Sequence, residues 1–265
     1  PLLEAFLGDP IVIRALVAAS NAVHTFHVDG HWFRAEPWSV TSPPINTVHI
    51  GISERYDLVI PSAGGPQQMP GDYLYRSGSS FKLKEGSWGI LRVLEDIGAV
   101  ELQKLPGRDT IPEASSFVCP RGSPEKMFDI LAIETSLPML DGVKGKLYIL
   151  AGDKEDLLNG TKSPEPLALH INVGDCLKVN LTNETQGGPV TFHVDGLGYA
   201  PGVVAEVFPT ESQTYFFFAH PEIGETVGLL RDSADVLKNP GLGLYGAIIV
   251  GPRGSTYTHP VSGED

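Results

Sequence analysis

Apolar residues along the chain fall in short runs with turn residues between them, and no long stretch keeps a 3.6-residue period. Residues 11–18 read IVIRALVA, and residues 47–60 carry two further runs around the turn-like Gly51-Ile52-Ser53-Glu54. Runs at 71–75 and 89–94 complete a first block of predicted strands. Residues 95–125 are different: polar, proline-containing and poorly periodic, which predicts a linker or a long surface connection. A second series follows at 128–135, 147–150, 167–173, 176–182, 190–194, 213–219 and 245–250. Helix is expected only in short pieces, at 154–158 and 233–238. Closely spaced short strands with Gly, Pro, Asn and Asp turns predict an all-β chain built as two β-sandwiches.

The two blocks repeat a motif. Thr25-Phe26-His27-Val28-Asp29-Gly30 recurs word for word as Thr191-Phe192-His193-Val194-Asp195-Gly196. Each copy follows a strand that starts after a Gly-Asp pair, Gly8-Asp9 or Gly174-Asp175. A strand beginning Gly-Asp-Tyr or Gln-Thr-Tyr is read as the next matching element. Trp-Gly-Ile-Leu-Arg-Val or Tyr-Gly-Ala-Ile-Ile-Val is read as the one after it. Two copies of one fold are therefore expected, at 1–97 and 124–253, with a linker at 98–123 and a tail at 254–265. The copies are unequal, because strands from 128 to 169 precede the second Gly-Asp pair and almost nothing precedes Gly8. A sandwich without those strands has an apolar face and an unpaired edge. The expectation is that a companion polypeptide or a neighbouring subunit in an oligomer supplies them.

Composition narrows the function classes. The 265 residues hold 19 Lys+Arg against 32 Asp+Glu, a formal net charge of −13, with a sequence pI near 5.0. That balance argues against a nucleic-acid surface and against docking on an anionic membrane. No apolar run approaches the roughly 18 residues of a membrane span. The 30 Gly and 22 Pro suit a turn-rich β protein. The chain opens at Pro1 without a Met or a signal peptide, which reads as processed, trimmed or cut from something longer. Two cysteines, Cys119 and Cys176, do not make a disulfide framework, and one bridge between them is left open. There is no Gly-x-Ser-x-Gly elbow for hydrolase chemistry and no phosphate-cradling glycine loop. Asn159, Asn180 and Asn183 each begin a glycosylation sequon.

At the repeated motif the sequence resembles the multicopper oxidases, built from cupredoxin domains. GDPIVIRALVAASNAVHTFHVDGHWF resembles the family's Gly-Asp strand and its His-rich segment, and ISERYDLVI resembles its Gly-Glu-Arg-Tyr-Asp-Val strand. TFHVDGL is similar to His-Trp-His-Gly-Leu, TYFFFAH to Thr-Tyr-Trp-Tyr-His-Ser-His, and GLGLYGAIIV to the strand that closes such a domain. The combination PLLEAFLGDP, GDYLYRSGSS and GSWGILRV looks most like the large, many-domain bacterial branch that includes manganese oxidases. The resemblance implies tandem cupredoxin-like Greek-key sandwiches, the first lacking its N-terminal strands. It also implies copper as cofactor, an extracytoplasmic location (periplasmic or secreted), and oxidation of a metal ion or organic substrate coupled to reduction of dioxygen to water.

The ligand positions depart from that pattern. A type 1 copper takes a thiolate, two imidazoles and a weak axial ligand. The matching cysteine position is Ser77, flanked by Arg76 and Gly78, while Cys119 lies in the linker and Cys176 at a strand start. The family's trinuclear cluster uses His-x-His pairs, whose members share one face of a strand. Here His27 and His193 keep the first position and Asp29 and Asp195 replace the second, while TYFFFAH retains only His220. A three-copper cluster and catalysis by this chain alone are not expected. The candidate metal set is His27, Asp29, His193, Asp195 and His220, as one mixed N/O site between the domains for Cu(II), Zn(II) or Mn(II). His24 joins it through the spacing of His24, His27 and His31 and its match to a type 1 histidine. The alternative is structural: each Asp accepts turn amides and each His is a satisfied core histidine. His49 and His259 are expected to be solvated, and His170 to lie on a strand.

Three functions follow as expectations. The chain is a mainly structural component of a multicopper-oxidase-like protein, or a metal-free assembly module completed by a partner chain, or a metal-binding and storage module without turnover.

Overall fold

Alternation of core-facing and solvent-facing side chains is what makes these segments strands: in Trp88–Leu94 the buried residues are Gly89, Leu91 and Val93, at every second position. The computed structural model describes residues 2–18, 22–95, 101–138, 140, 143–202 and 205–258. His259, much of the tail and residues 98–100 lie outside them. The chain forms two units, Pro1–Val118 with Gly198–Gly202, and Cys119–Leu197 with Val203–Asp265.

Unit one contains β1 (Leu2–Phe6), β2 (Ile11–Leu16), β3 (His24–Val28), β4 (Phe33–Arg34), β5 (Pro44–Ile45), β6 (Thr47–Ile50), β7 (Arg55–Ile60), β8 (Gly71–Arg76), helix α1 (Ser80–Lys84) and β9 (Trp88–Leu94). A five-stranded sheet in the order β1-β9-β8-β3-β6 faces the two-stranded pair β2-β7. Their shared core holds Ala5, Val28, Tyr73, Leu91 and Val93 from the first sheet and Leu58 and Ile60 from β7. Residues 101–118, expected as linker, lie along this unit instead: Ile111 and Ala114 pack on its core, and Ser115 N–H donates to Gln68 O at 2.9 Å. Arg108 Nη1 also donates to Gly8 O, at 2.6 Å.

Unit two contains β10 (Glu125–Ser136), β11 (Lys144–Leu150), α2 (Lys154–Asn159), β12 (Leu167–Asn172), β13 (Cys176–Asn183), β14 (His193–Asp195), β15 (Ser212–Phe218), β16 (Thr226–Arg231), α3 (Lys238–Gly241) and β17 (Tyr245–Gly251). Two four-stranded sheets, β11-β10-β13-β15 and β12-β17-β16-β14, bury Leu177, Val179 and Leu181 on one side and Ile171, Val194 and Ile248 on the other, all at most 0% exposed. Tyr148 and Phe192 meet edge to face in this core at 5.4 Å. Helix replaces the expected 233–238 only from Lys238, because Asp235 Oδ1 accepts the Leu237 and Lys238 N–H groups and holds 235–238 as a turn. Cys119 and Cys176 form a disulfide. The fold is all-β, and among the described residues no helix is long and apolar enough to cross a membrane.

The repeat holds at the level of hydrogen bonds. β1 lies parallel on β9 as β12 lies parallel on β17. The Gly-Asp pair then carries the chain to the other sheet in both units. Asp9 Oδ2 accepts Phe6 N–H at 3.3 Å and Asp175 Oδ2 accepts Asn172 N–H at 2.9 Å. Gly8 N–H donates to Ala63 O and Gly174 N–H to Ala219 O. β2 pairs with β7 as β13 pairs with β15, and β3 pairs with β8 as β14 pairs with β16.

That pairing corrects one expectation from sequence. The counterpart of Gly71–Arg76 is Thr226–Arg231, not the Gln-Thr-Tyr strand, because among the described strands of the second unit it is Thr226–Arg231 that pairs with the strand that bears the His-x-Asp motif. The Gln-Thr-Tyr strand pairs with β13 and is the counterpart of β7. The units also differ in extent: β13 carries β10 on its other edge, and no described strand pairs with β2 there.

Candidate metal centre

Each residue of the repeated Thr-Phe-His-Val-Asp-Gly motif has a structural partner inside its own unit. Thr25 Oγ1 accepts the Gly78 N–H at 2.5 Å, and Thr191 Oγ1 accepts the Ser233 N–H at 2.7 Å. Both hydroxyls also sit 3.4 Å from the side chain that ends the neighbouring strand, Ser77 Oγ in one unit and Asp232 Oδ1 in the other. Phe26 stacks on Tyr75 at 5.8 Å, and Phe192 is fully buried, as are Val28 and Val194. Gly30 and Gly196 turn the chain with φ of +65° and +91°, a region that side chains disfavour. A Cβ on Gly30 would lie 2.6 Å from the Tyr73 ring.

The His and Asp of each motif bond to one another. Two residues apart on a strand, they share a face. His27 Nε2 donates to Asp29 Oδ1 at 2.6 Å, and His193 Nε2 meets Asp195 Oδ1 at 2.9 Å. An arginine completes each pair, and neither was singled out as a partner from sequence. Arg76 stands directly across the sheet from His27, and Arg231 directly across from His193. Arg76 Nε lies 3.8 Å from Asp29 Oδ1, and Arg231 Nε lies 2.9 Å from Asp195 Oδ2. The available signal was the shared Leu74-x-Arg76 and Leu229-x-Arg231 at the ends of β8 and β16. His27, Asp29 and Arg76 are 3%, 8% and 5% exposed.

The donor pattern around His27 bears on metal binding. Thr47, its neighbour on β6, gives its single hydroxyl hydrogen to Asn46 Oδ1 at 3.0 Å. The same hydroxyl oxygen lies 2.7 Å from His27 Nδ1. Asp29 Oδ1 holds Nε2 at 2.6 Å, so both ring nitrogens have polar partners inside the unit.

The remaining candidates each have local partners within their own unit. His24, at the start of β3, lies with Nδ1 3.0 Å from the Lys82 ammonium. His220 follows β15, outside the sheet that carries β14. Its Nδ1 accepts the Glu222 N–H at 3.2 Å, and burial lowers its pKa against the opposing pull of Glu222. His31 is a brace: Nδ1–H donates to Asp29 O at 2.9 Å, Nε2 accepts the Gly64 N–H at 3.0 Å, and burial drives its pKa down to about 4. His49 is exposed. His170 on β12 is exposed and packs on Tyr257 at 4.5 Å. No free thiol remains, both cysteines being joined in the disulfide.

The sequons separate by the same accounting. Asn183 is buried, with Nδ2 donating to Gly188 O and Val207 O. Asn180 bonds Asp129 and Thr214 on the two flanking strands. Asn159 is exposed at the end of α2.

No protein-family profile matches the chain, and no curated protein sequence matches it. Among solved structures, a copper nitrite reductase from Nitrosomonas europaea is similar at 12% identity and a TM-score of 0.34, over 100% of this chain and 86% of that one. A laccase from Botrytis aclada is similar at 12% identity and a TM-score of 0.30, over 94% of this chain and 53% of the laccase. A mutant form of that laccase gives 13% identity and a TM-score of 0.31 at the same coverage. The chain thus spans about half the length of the laccases it matches.

Proposed function

We propose that this chain is a structural pair of cupredoxin-like units within a multicopper-oxidase-like protein of the large bacterial type, and that it does not itself house a copper centre. The observation that carries the reading is the duplicated His-x-Asp/Arg arrangement. At the places where the family resemblance puts imidazole pairs, each unit holds an internally bonded His-Asp pair with an arginine across the sheet.

Copper fits this donor set poorly. It requires neutral imidazole or thiolate, whereas the cysteines are bridged, both His27 nitrogens are engaged by Thr47 and Asp29, and Arg231 occupies Asp195. The place that would take the thiolate is Ser77, whose counterpart by strand pairing is Asp232. What these residues do instead is fasten β3 to β8 and β14 to β16. The disulfide accords with an extracytoplasmic setting, where such bonds persist.

Oxygen uptake by the purified, copper-supplemented chain with a manganese(II) or phenolic substrate tests the reading. A rate at the level of free copper is expected. Turnover that is lost in His27→Ala and His193→Ala would overturn it.

A further inference from the structure

We infer that the outer edge of β2 is an acceptor for a parallel β-strand of polypeptide outside residues 1–265, in the way that β13 accepts β10. The inference draws on the internal repeat, and it is independent of whether any metal binds.

The second unit shows how such an edge is used. Asp175 O and Asn183 N–H bond towards the β15 side, to Ala219 N–H and Glu211 O. Cys176 N–H and Glu184 N–H bond the other way, to Pro124 O and Ala132 O. Backbone groups thus alternate between the two neighbours, as they must in an extended strand. β10 runs parallel to β13 with Phe128 opposite Val179 and Ile130 opposite Leu181.

β2 has the same alternation with one neighbour only. Asp9 O accepts Ala63 N–H, Val17 N–H donates to Glu54 O and Val17 O accepts Ser53 N–H, all on the β7 side. The N–H and C=O groups of Val12, Arg14 and Leu16 therefore point away from β7, towards an edge that no described strand pairs. Pro10 stands where Cys176 donates, so ladder bonding on β2 begins with Val12.

The inward side chains agree. Ile11, Ile13 and Ala15 correspond to Leu177, Val179 and Leu181 by their pairing with β7 and β15. The second three are 0% exposed, whereas the first three are only half-buried. Val12 and Leu16 add outward apolar surface at 47% and 64% exposure.

These facts describe the occupant: an extended segment running with β2, with apolar residues opposite Ile13 and Ala15. Strand addition of this kind draws affinity from main-chain bonds and selectivity from alternate side chains. A second copy of this chain suits the edge less well. Two β2 strands related by a two-fold axis are antiparallel, and the fully overlapped register sets Arg14 against Arg14, a repulsive cross-strand pair.

The test is amide-resolved hydrogen exchange on the full chain, alone and with a capped synthetic peptide of the β10 sequence, residues 125–136. Alone, the chain is expected to be monomeric with fast exchange at Val12, Arg14 and Leu16. Saturating peptide is expected to slow these amides by about tenfold or more, leaving the β7-bonded amides unchanged. In Arg14→Pro, which removes one outward donor and no backbone bond to β7, and only the exposed Arg14–Asp57 ion pair at 3.7 Å, the peptide effect should disappear while the midpoint of thermal unfolding without peptide stays close to that of the native chain. Protection of the three amides in the monomer without peptide would overturn the proposal. So would protection that appears only with dimer formation, or no protection at saturating peptide. An absence of copper would leave this result untouched, and a failure here would leave the scaffold reading standing.

Discussion

Arg231 grips Asp195 with two nitrogens, Nε to Oδ2 at 2.9 Å and Nη2 to Oδ1 at 3.3 Å, and Asp195 in turn holds His193. Such a fork fixes orientation as well as charge. Removing one member of a largely buried pair leaves the other uncompensated, which costs about 3 kcal/mol or more. Arg231→Leu and Asp195→Leu are each expected to lose stability on that scale. The double variant should recover a large part of the loss, because paired removal leaves no orphan charge. Urea unfolding of the four proteins in the cycle measures the coupling. Equal, additive losses would show that the three side chains merely share a neighbourhood.

His31 makes the first unit sensitive to acid. Its folded pKa is about 4 against an ordinary 6.5 because the ring is buried. Between those values the unfolded chain binds the extra proton and the folded chain does not. Stability is therefore full above about pH 6.5 and falls as pH drops towards 4, by about 3 kcal/mol over the window. His220, also lowered by burial, acts in the same direction. Asp232, raised by burial, acts in the opposite direction at the acid end. Denaturation midpoints at stepped pH should show the slope, and His31→Gln should flatten it at the expense of lower stability near neutrality. An unchanged slope in that variant would mean that His31 is not the group responsible.

The Cys119–Cys176 bridge closes a loop with a sequence separation of 57. Chain-entropy reasoning values such a closure at about 4 kcal/mol, as an upper range for the effect. Thermal unfolding of the Cys119→Ser/Cys176→Ser double variant should shift to lower temperature, and reductant should shift the native chain in the same way. Insensitivity to reductant with the bridge demonstrably opened would refute a stabilising role.

Much of the architecture was legible because it depends on local signals. Period-two runs mark the strands, and the Gly-Asp pairs mark the turn between sheets. The six-residue repeat exposed the duplication. Matching the elements in between failed where two strands had similar openings: Gln213-Thr214-Tyr215 looks like Gly71-Asp72-Tyr73, yet it pairs with β13 and not with β14. Arg76 and Arg231 went unassigned as partners because their role comes only from strand register, which places each opposite a histidine. His31 looked like one member of a metal-spaced triplet. Its actual partners are backbone groups of Asp29 and Gly64, the latter 33 residues away. The disulfide joins a cysteine from an unperiodic stretch to one at a strand start, and nothing in their spacing signals the pairing.

The most direct test of the scaffold account is the metal content of the purified chain by plasma mass spectrometry, as isolated and after copper loading and desalting, with a visible spectrum of each sample. The account expects no stoichiometric copper, zinc or manganese and no blue thiolate-to-copper band. The His27→Ala and His193→Ala variants should match the native chain. One or more metal ions retained per chain, and lost in either variant, would contradict it.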